Sequence, residues 1–278
     1  MVRTRQQLRF ANPCRAFLTF GHVGQAGHDA RNELEQVLIL APVAVAGQPG
    51  TRPTLPRVTA LDSTTVAVLG GTGPQGRGLA RRFAAAGIRV VIGSRIAERA
   101  GTAAKELADA TGGDVTGKDN REAADHGDIV IVAVPWEGHR ELLESLAQPL
   151  AGKVVVDCVN PLGFDKQGAY ALAVEEGSAA QQAAAILEES RVTAAFHHVS
   201  AVLLEDPDVE EVDTDVLVLG DDREATDLVR ALADAVPGMR GVYAGRLRNA
   251  HQVEALTANL ISVNRRYKAH AGLRVTDV

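Results

Sequence analysis

Residues 66–78, VAVLGGTGPQGRG, constrain this chain more than any other stretch. A short β-branched run leads into Gly71, Gly73 and Gly76 at G-x-G-x-x-G spacing, and an amphipathic stretch over 79–86 follows. Strand, glycine loop and helix in that order form the context in which such a loop cradles a pyrophosphate. Gly71 is expected to permit the tight turn and Gly73 to let backbone approach the phosphates. Gly76 is expected to let helix and strand pack closely. Pro74 suits a first helical turn, where no N–H donor is needed. The helix N-terminus there offers free amides and about half a positive charge. A dinucleotide site on a parallel sheet is the expectation.

The pattern downstream agrees. Apolar runs at 66–69, 90–92, 129–134 and 154–156 alternate with amphipathic stretches at 79–86, 96–110 and 139–146. The runs are apolar on both faces, as strands covered by helices on each side must be. Alternation of this kind predicts an α/β fold, a Rossmann-type doubly wound parallel sheet built from right-handed crossovers. Gly87 is expected to close the first helix in a left-handed conformation, and Asn120 to cap a short helix before residue 129. After Pro161 the order loosens. Residues 162–177 read as a long loop, and Ser178 as the cap of a helix over 179–187. Stretches 192–196 and 216–219 read as strands, 223–236 and 247–264 as helices. The expected organisation is a dinucleotide-binding Rossmann domain over 63–202 and a smaller C-terminal α/β domain over 203–278 that closes the substrate cleft.

Residues 1–62 differ in character. They hold five of the eleven prolines, and the stretch AGQPGTRPTLP at 46–56 has a linker composition that sustains neither helix nor central strand. A helical pattern recurs over 29–40, and the basic, acid-free start MVRTRQQLRF is similar to a targeting segment. It lacks the apolar core and small-residue site such a segment needs. A disordered or weakly ordered extension is expected here.

Formal net charge is −6 over 278 residues, which argues against nucleic acid and anionic membrane surfaces as partners. The longest apolar run, residues 37–46, contains Pro42 and has half the ~20 residues a membrane span needs. Two cysteines, Cys14 and Cys158, make no disulfide framework and fit a reducing, cytoplasmic setting.

The end of the second strand indicates which nucleotide fits. An NAD site usually carries Asp or Glu about 20 residues beyond the loop, to hold the ribose 2′-hydroxyl. Here the strand ends Gly93, Ser94, Arg95, nineteen residues past Gly76, with no acid. A hydroxyl and a guanidinium donate to a 2′-phosphate that a carboxylate would repel. Arg99, one helical turn later, can close over the same phosphate. NADP is the expected dinucleotide.

Ligands in open parallel sheets lie beyond the carboxyl ends of the strands. Three strands deliver distinctive residues there: Trp136, the only tryptophan; Asn160 before Pro161; and His197 with His198. Trp136 reads either as a wall of the cofactor cleft or as a core plug. Asn160 reads as a nicotinamide-ribose contact or a simple turn, and Cys158 as a buried small residue. His197 and His198 point oppositely on a strand and make a poor chelate, so His197 is either a substrate contact or a satisfied structural histidine. No nucleophile elbow, P-loop or zinc motif is visible.

Together, VAVLGGTGPQGRGLA, VVIGSR, AVPWE, the Asn160-Pro161 turn, AFHHVSA, LGDD and the EALT at 254–257 resemble the NADPH-dependent reductases of coenzyme F-420. The likeness runs from about residue 65 to the C-terminus. It implies hydride exchange between NADP(H) and the deazaflavin coenzyme F-420 (8-hydroxy-5-deazaflavin), with the protein supplying orientation and exclusion of water. By the same resemblance Thr72, Gly73, Pro74 and Gln75 match the loop around the NADP phosphates. Ser94, Arg95 and Arg99 match the 2′-phosphate binders. Trp136, Asn160 and Ala201 match cleft positions, Gly272 a C-terminal residue near the ligands, and His197 and Thr257 polar groups near the deazaflavin. Ser200 stands where the family pattern has proline, and the 62-residue extension is absent from it. No dedicated acid–base catalyst is implied, and a cytoplasmic homodimer acting on small-molecule co-substrates is. Two other readings compete: a different NADP-dependent reductase acting on an imine, hydroxy acid or metal chelate, and a non-catalytic NADP-binding sensor. The first needs a proton donor such as a lysine facing the nicotinamide, and residues 247–264 carry none.

Overall fold

The computed structural model describes residue 61 and residues 63–278. The expectations for residues 1–62, Leu61 apart, lie outside the described residues. Alternation of strand and helix begins as the sequence pattern predicts: β1 (Thr65–Leu69), α1 (Pro74–Ala85), β2 (Arg89–Ser94), α2 (Ala97–Thr111), β3 (Val115–Asp119), α3 (Asn120–His126), β4 (Ile129–Val132), α4 (His139–Leu150) and β5 (Val154–Asp157). An antiparallel hairpin follows, β6 (Leu162–Asp165) and β7 (Gly168–Ala171), then α5 (Ala179–Ile186), β8 (Arg191–Ala194), α6 (Ala201–Glu205), β9 (Thr214–Gly220), α7 (Arg223–Asp234), β10 (Met239–Gly245) and α8 (Ala250–Tyr267).

Eight strands form one sheet in the order β10-β9-β8-β5-β4-β1-β2-β3. Every neighbouring pair is parallel except β8 and β9. The chain winds outward from β1 through β2 to β3, then returns to β4 on the other side. The order therefore reverses between β1 and β4, where the carboxyl ends of an open sheet leave a crevice. Strand residues alternate between two cores, as the pleat requires. Val66 and Val68 pack with Leu79, Phe83, Ala100 and Val229 from α1, α2 and α7. Ala67 and Leu69 pack with Ala123, Leu143, Ala180 and Val253 from α3, α4, α5 and α8. Residues 203–278, expected as a smaller C-terminal domain, contribute β9 and β10 to this same sheet, joined through the β8–β9 pairing.

Gly87 ends α1 as expected. Its φ is +82°, its N–H donates to Ala84 O, and Ile88 N–H donates to Phe83 O, the two bonds of a Schellman motif. Ser178 caps α5 by accepting from Gln181 N. Other details differ from the sequence reading. Asn120 is the first residue of α3 and not its cap; Asp119 takes that role by accepting from Glu122 N at 2.8 Å. Residues 162–177 are not one loop: Asp165 Oδ1 accepts from Gln167 N and Gly168 N, and the resulting tight turn pairs β6 with β7. The left-handed backbone of the glycine loop belongs to Gly70, with φ +72°, and not to Gly71. A Cβ on Gly71 would instead meet Ile92 Cγ2 and Val68 O, both at 2.8 Å, so Gly71 is there for close packing on β1 and β2.

Candidate functional site

The loop after β1 runs into α1 with Pro74 in its first turn, and no side chain caps the helix. The first-turn amides of such a helix need an external partner. A Cβ on Gly76 would lie 2.8 Å from Gly70 O and 2.9 Å from Gly71 Cα, whereas one on Gly73 would meet only Gly70 O at 3.4 Å. Gly76 is thus packed against the loop, while Gly73 faces open space that a phosphate can fill. Gln75 reaches across the sheet edge, its Nε2 donating to Phe196 O at 3.1 Å.

A cleft of about 590 Å³ opens in front of this loop. It gathers Thr72, Gly73, Ser94, Arg95 and Arg99, five of the residues singled out from the sequence. Ser94 is buried and its Oγ accepts from Ile96 N at 3.3 Å, which leaves the hydroxyl proton free to donate outward. Arg95 and Arg99 are exposed, and their guanidinium groups form no ion pair or hydrogen bond within the described residues. The opposite wall comes from Pro135, Glu137 and the start of α4, including Glu141 and Leu142. Asn120 also lines the cleft, and sequence reasoning had given it only a capping role.

The second group of residues comes together beside, not within, that cleft. Asn160 Nδ2 donates to His197 O at 2.9 Å, and Thr257 Oγ1 donates to His197 O at 3.2 Å and approaches Asn160 Oδ1 at 3.3 Å. Three distant stretches thereby meet at one point of the sheet edge. Ala201 opens α6 next to Ser200, its N-cap. The His197 ring is buried, with neither nitrogen hydrogen-bonded; burial pushes its pKa down to about 4, leaving a neutral imidazole at physiological pH. His198 turns away, its Nε2 against Asp215 O at 2.7 Å. Gly272 packs on Thr214 and Asp213 at the start of β9. The tail around it is tied by Leu273 N to Thr214 Oγ1, by Val275 N to Asp215 Oδ2, and by Arg240 and Arg274 on the Asp215 carboxylate. Cys158 is buried, with Sγ against Val132 O at 3.1 Å; burial pushes the thiol up, and it is inert.

Beneath both groups lies a buried ionisable cluster that no sequence spacing announced. His139 and Asp157 are both fully buried, with Nε2 and Oδ2 2.6 Å apart. His139 Nδ1 meets Gln182 Oε1 at 3.0 Å, and that amide is oriented by Nε2 donating to Glu176 Oε2. Both ring nitrogens therefore face acceptors, a demand only the imidazolium meets. Burial alone would lower the His139 pKa, but the Asp157 charge and hydrogen bond, with that of Gln182, raise it above the ordinary value. Trp136, in a single 3-10 turn, lays its ring over His139 with centroids 5.5 Å apart. Asp157 Oδ1 also accepts from Val159 N at 3.0 Å, fixing the turn that delivers Asn160. Glu254, one helical turn before Thr257, accepts from Ala179 N and Ala180 N at the start of α5; burial pushes its pKa up to about 7.

A family model described as NADP oxidoreductase, coenzyme F420-dependent, matches residues 65–161. The chain is 40% identical over 221 residues to the F420-dependent NADP reductase of Methanothermobacter thermautotrophicus, covering 77% of this chain and 95% of that protein. The chain belongs to the F420-dependent NADP reductase family. The Methanocaldococcus jannaschii member is 38% identical over 77% of this chain and 98% of its own length. A crystal structure of an Arthrobacter sp. FB24 protein assigned as an F420-dependent NADP reductase superposes with a TM-score of 0.66 at 25% identity, over 77% of this chain and 99% of that one. Similarity to these family members reaches beyond the residues matched by the family model, which run from β1 to the Asn160-Pro161 turn. His197, Thr257 and the tail lie past them.

Proposed function

We propose that this chain is an NADPH:F-420 oxidoreductase, exchanging a hydride between NADP(H) and coenzyme F-420. Family membership supports the pair of carriers. The observation that carries the dinucleotide half is the end of β2, which closes in no acid of its own and where a buried hydroxyl with a proton to donate stands beside two guanidinium groups unpaired among the described residues. Ser94, Arg95 and Arg99 hold the 2′-phosphate by charge-assisted hydrogen bonds. Thr72, Gly73, Pro74 and Gln75, with the amides of the α1 N-terminus, hold the pyrophosphate, while Gly71 and Gly76 keep the loop tight.

Trp136, Asn160, Ala201, His197 and Thr257 wall the deazaflavin side, and residues 203–278, with Gly272 in the tail, close it. When bound, the two carriers supply the chemistry, a two-electron transfer between ring faces held in register. The chain contributes orientation and a water-poor cleft edge. His197, neutral at working pH, orients and does not donate a proton. A homodimer in the cytoplasm is the proposed setting; among the described residues no helix is long and apolar enough to cross a membrane. An imine- or hydroxy-acid-type reductase would call for a proton donor over the nicotinamide, and α8 has no lysine. Mixing the protein with NADPH and oxidised F-420 should bleach the visible band of the deazaflavin. Retention of that band at every pH, with NADPH bound, would end this reading in favour of a non-catalytic binder.

A further inference from the structure

Asn120 is an amide with no partner among the described residues. It is 8% exposed, its Oδ1 is buried without a hydrogen-bond partner, and no described group pairs with its nitrogen. Its position does not call for an amide on structural grounds. Asp119 already caps α3, and an unsatisfied buried amide costs about 1–3 kcal/mol. Position relates it to the dinucleotide. β2 and β3 are in register with Ser94 opposite Asp119, so Asn120 stands one residue further out, beside Arg95, on the floor of the same cleft. A Cβ on Gly93 would lie 2.9 Å from Asn120 Oδ1, so the missing side chain at Gly93 is what makes room for the amide.

Resting on the NADP reading above, we propose that Asn120 reads the adenine base. Ser94 and Arg95 hold the phosphate on the adenosine ribose, and the base attached to that ribose reaches the neighbouring part of the cleft, over Asn120 and towards α4. The chemistry is complementary: adenine presents an amino donor beside a ring-nitrogen acceptor, and a carboxamide presents an acceptor beside a donor. The terminal amide torsion of asparagine is broad, so a turn about χ2 swings the buried oxygen to the base edge. The edge concerned is N6–N7: there hypoxanthine carries a carbonyl beside the ring acceptor N7, so the carboxamide in either orientation sets its oxygen against an acceptor.

The test compares binding of NADPH and of its hypoxanthine analogue by calorimetric titration of the full chain, wild type and Asn120→Ala, together with melting of the unliganded proteins. Wild type should prefer NADPH by about tenfold, and Asn120→Ala should reduce that preference to about twofold or less. The unliganded variant should melt no lower than wild type, because an orphaned amide has been removed. If the alanine variant does not fold, Asn120→Val, which is close to asparagine in volume and has no polar atoms, takes its place. A wild type without base preference, or a variant that keeps it, overturns the assignment of Asn120. A wild type that binds neither nucleotide overturns the dinucleotide reading itself, and the assignment with it.

Discussion

Glu254 offers the most direct test of how the cluster below the cleft is balanced. The carboxylate is 3% exposed and accepts two backbone N–H groups at the start of α5, at 2.9 and 3.1 Å. Those bonds favour the charged form. Burial opposes it, Asp157 adds a like charge, and the outcome is a pKa pushed up to about 7. A folded-state pKa above the unfolded value means that the native protein holds a proton the unfolded chain has released. Stability from this group is therefore complete below about pH 4.5 and is lost as pH rises towards 7. Each pKa unit of difference is worth ~1.4 kcal/mol, so between about pH 5 and pH 8 the native state loses about 2–3 kcal/mol through Glu254 alone.

Glu254→Gln cannot titrate. Its amide accepts from only one of the two N–H groups, so its stability starts lower, and the slope rather than the level is the readout. Urea unfolding of both proteins across that pH range should show the wild-type advantage shrinking by about 2–3 kcal/mol. His197 remains in both proteins, and His139, whose pKa the Glu254 charge helps to raise, is separated by repeating the pair of curves in a His139→Gln background. Parallel curves would mean that the N–H bonds win over burial and that the carboxylate is charged throughout, which would refute the reasoning.

Arg95→Ala should lose about 1.5–3 kcal/mol of NADPH binding, tenfold or more in Kd, while leaving NADH nearly unchanged; an unaltered NADPH/NADH ratio would remove Arg95 from the phosphate site. Gly76→Ala drives a methyl to 2.8 Å from Gly70 O and should cost about 1–3 kcal/mol of stability while weakening both nucleotides, checked by thermal melting and titration. Trp136 is the only tryptophan and lies on His139, so its emission reports the imidazolium beneath it. With the His139 pKa raised, quenching should persist above the ordinary histidine value of about 6.5 and vanish in His139→Gln; a midpoint at or below that value would contradict a charged His139.

Why the glycine loop and its flanking elements were legible and the rest was not follows from where each partner lies along the chain. The glycine loop, the strand before it, the helix after it, β2 and the start of α2 that carries Arg99 occupy one unbroken stretch, and local backbone rules specify these elements. β3 escaped because an edge strand with the sequence VTGKD, partly exposed at nearly every position, shows no apolar run. The β6–β7 hairpin escaped because its turn is closed by one carboxylate, Asp165, rather than by an Asn-Gly or Asp-Gly pair. For Asn120 the sequence did hold a signal, an acceptor on both sides of the strand–helix junction. Either Asp119 or Asn120 can cap α3, and only one is needed; the bond from Glu122 N to Asp119 shows which does so and which is left over. The His139–Asp157–Glu254 cluster had no such signal. Its members come from α4, β5 and α8, and they meet only because a doubly wound sheet folds α4, α5 and α8 onto one face. That same convergence lays Trp136 on His139 and ties the Asn160 turn to Asp157, so the charges of two buried groups bear directly on residues that stand beside the cleft.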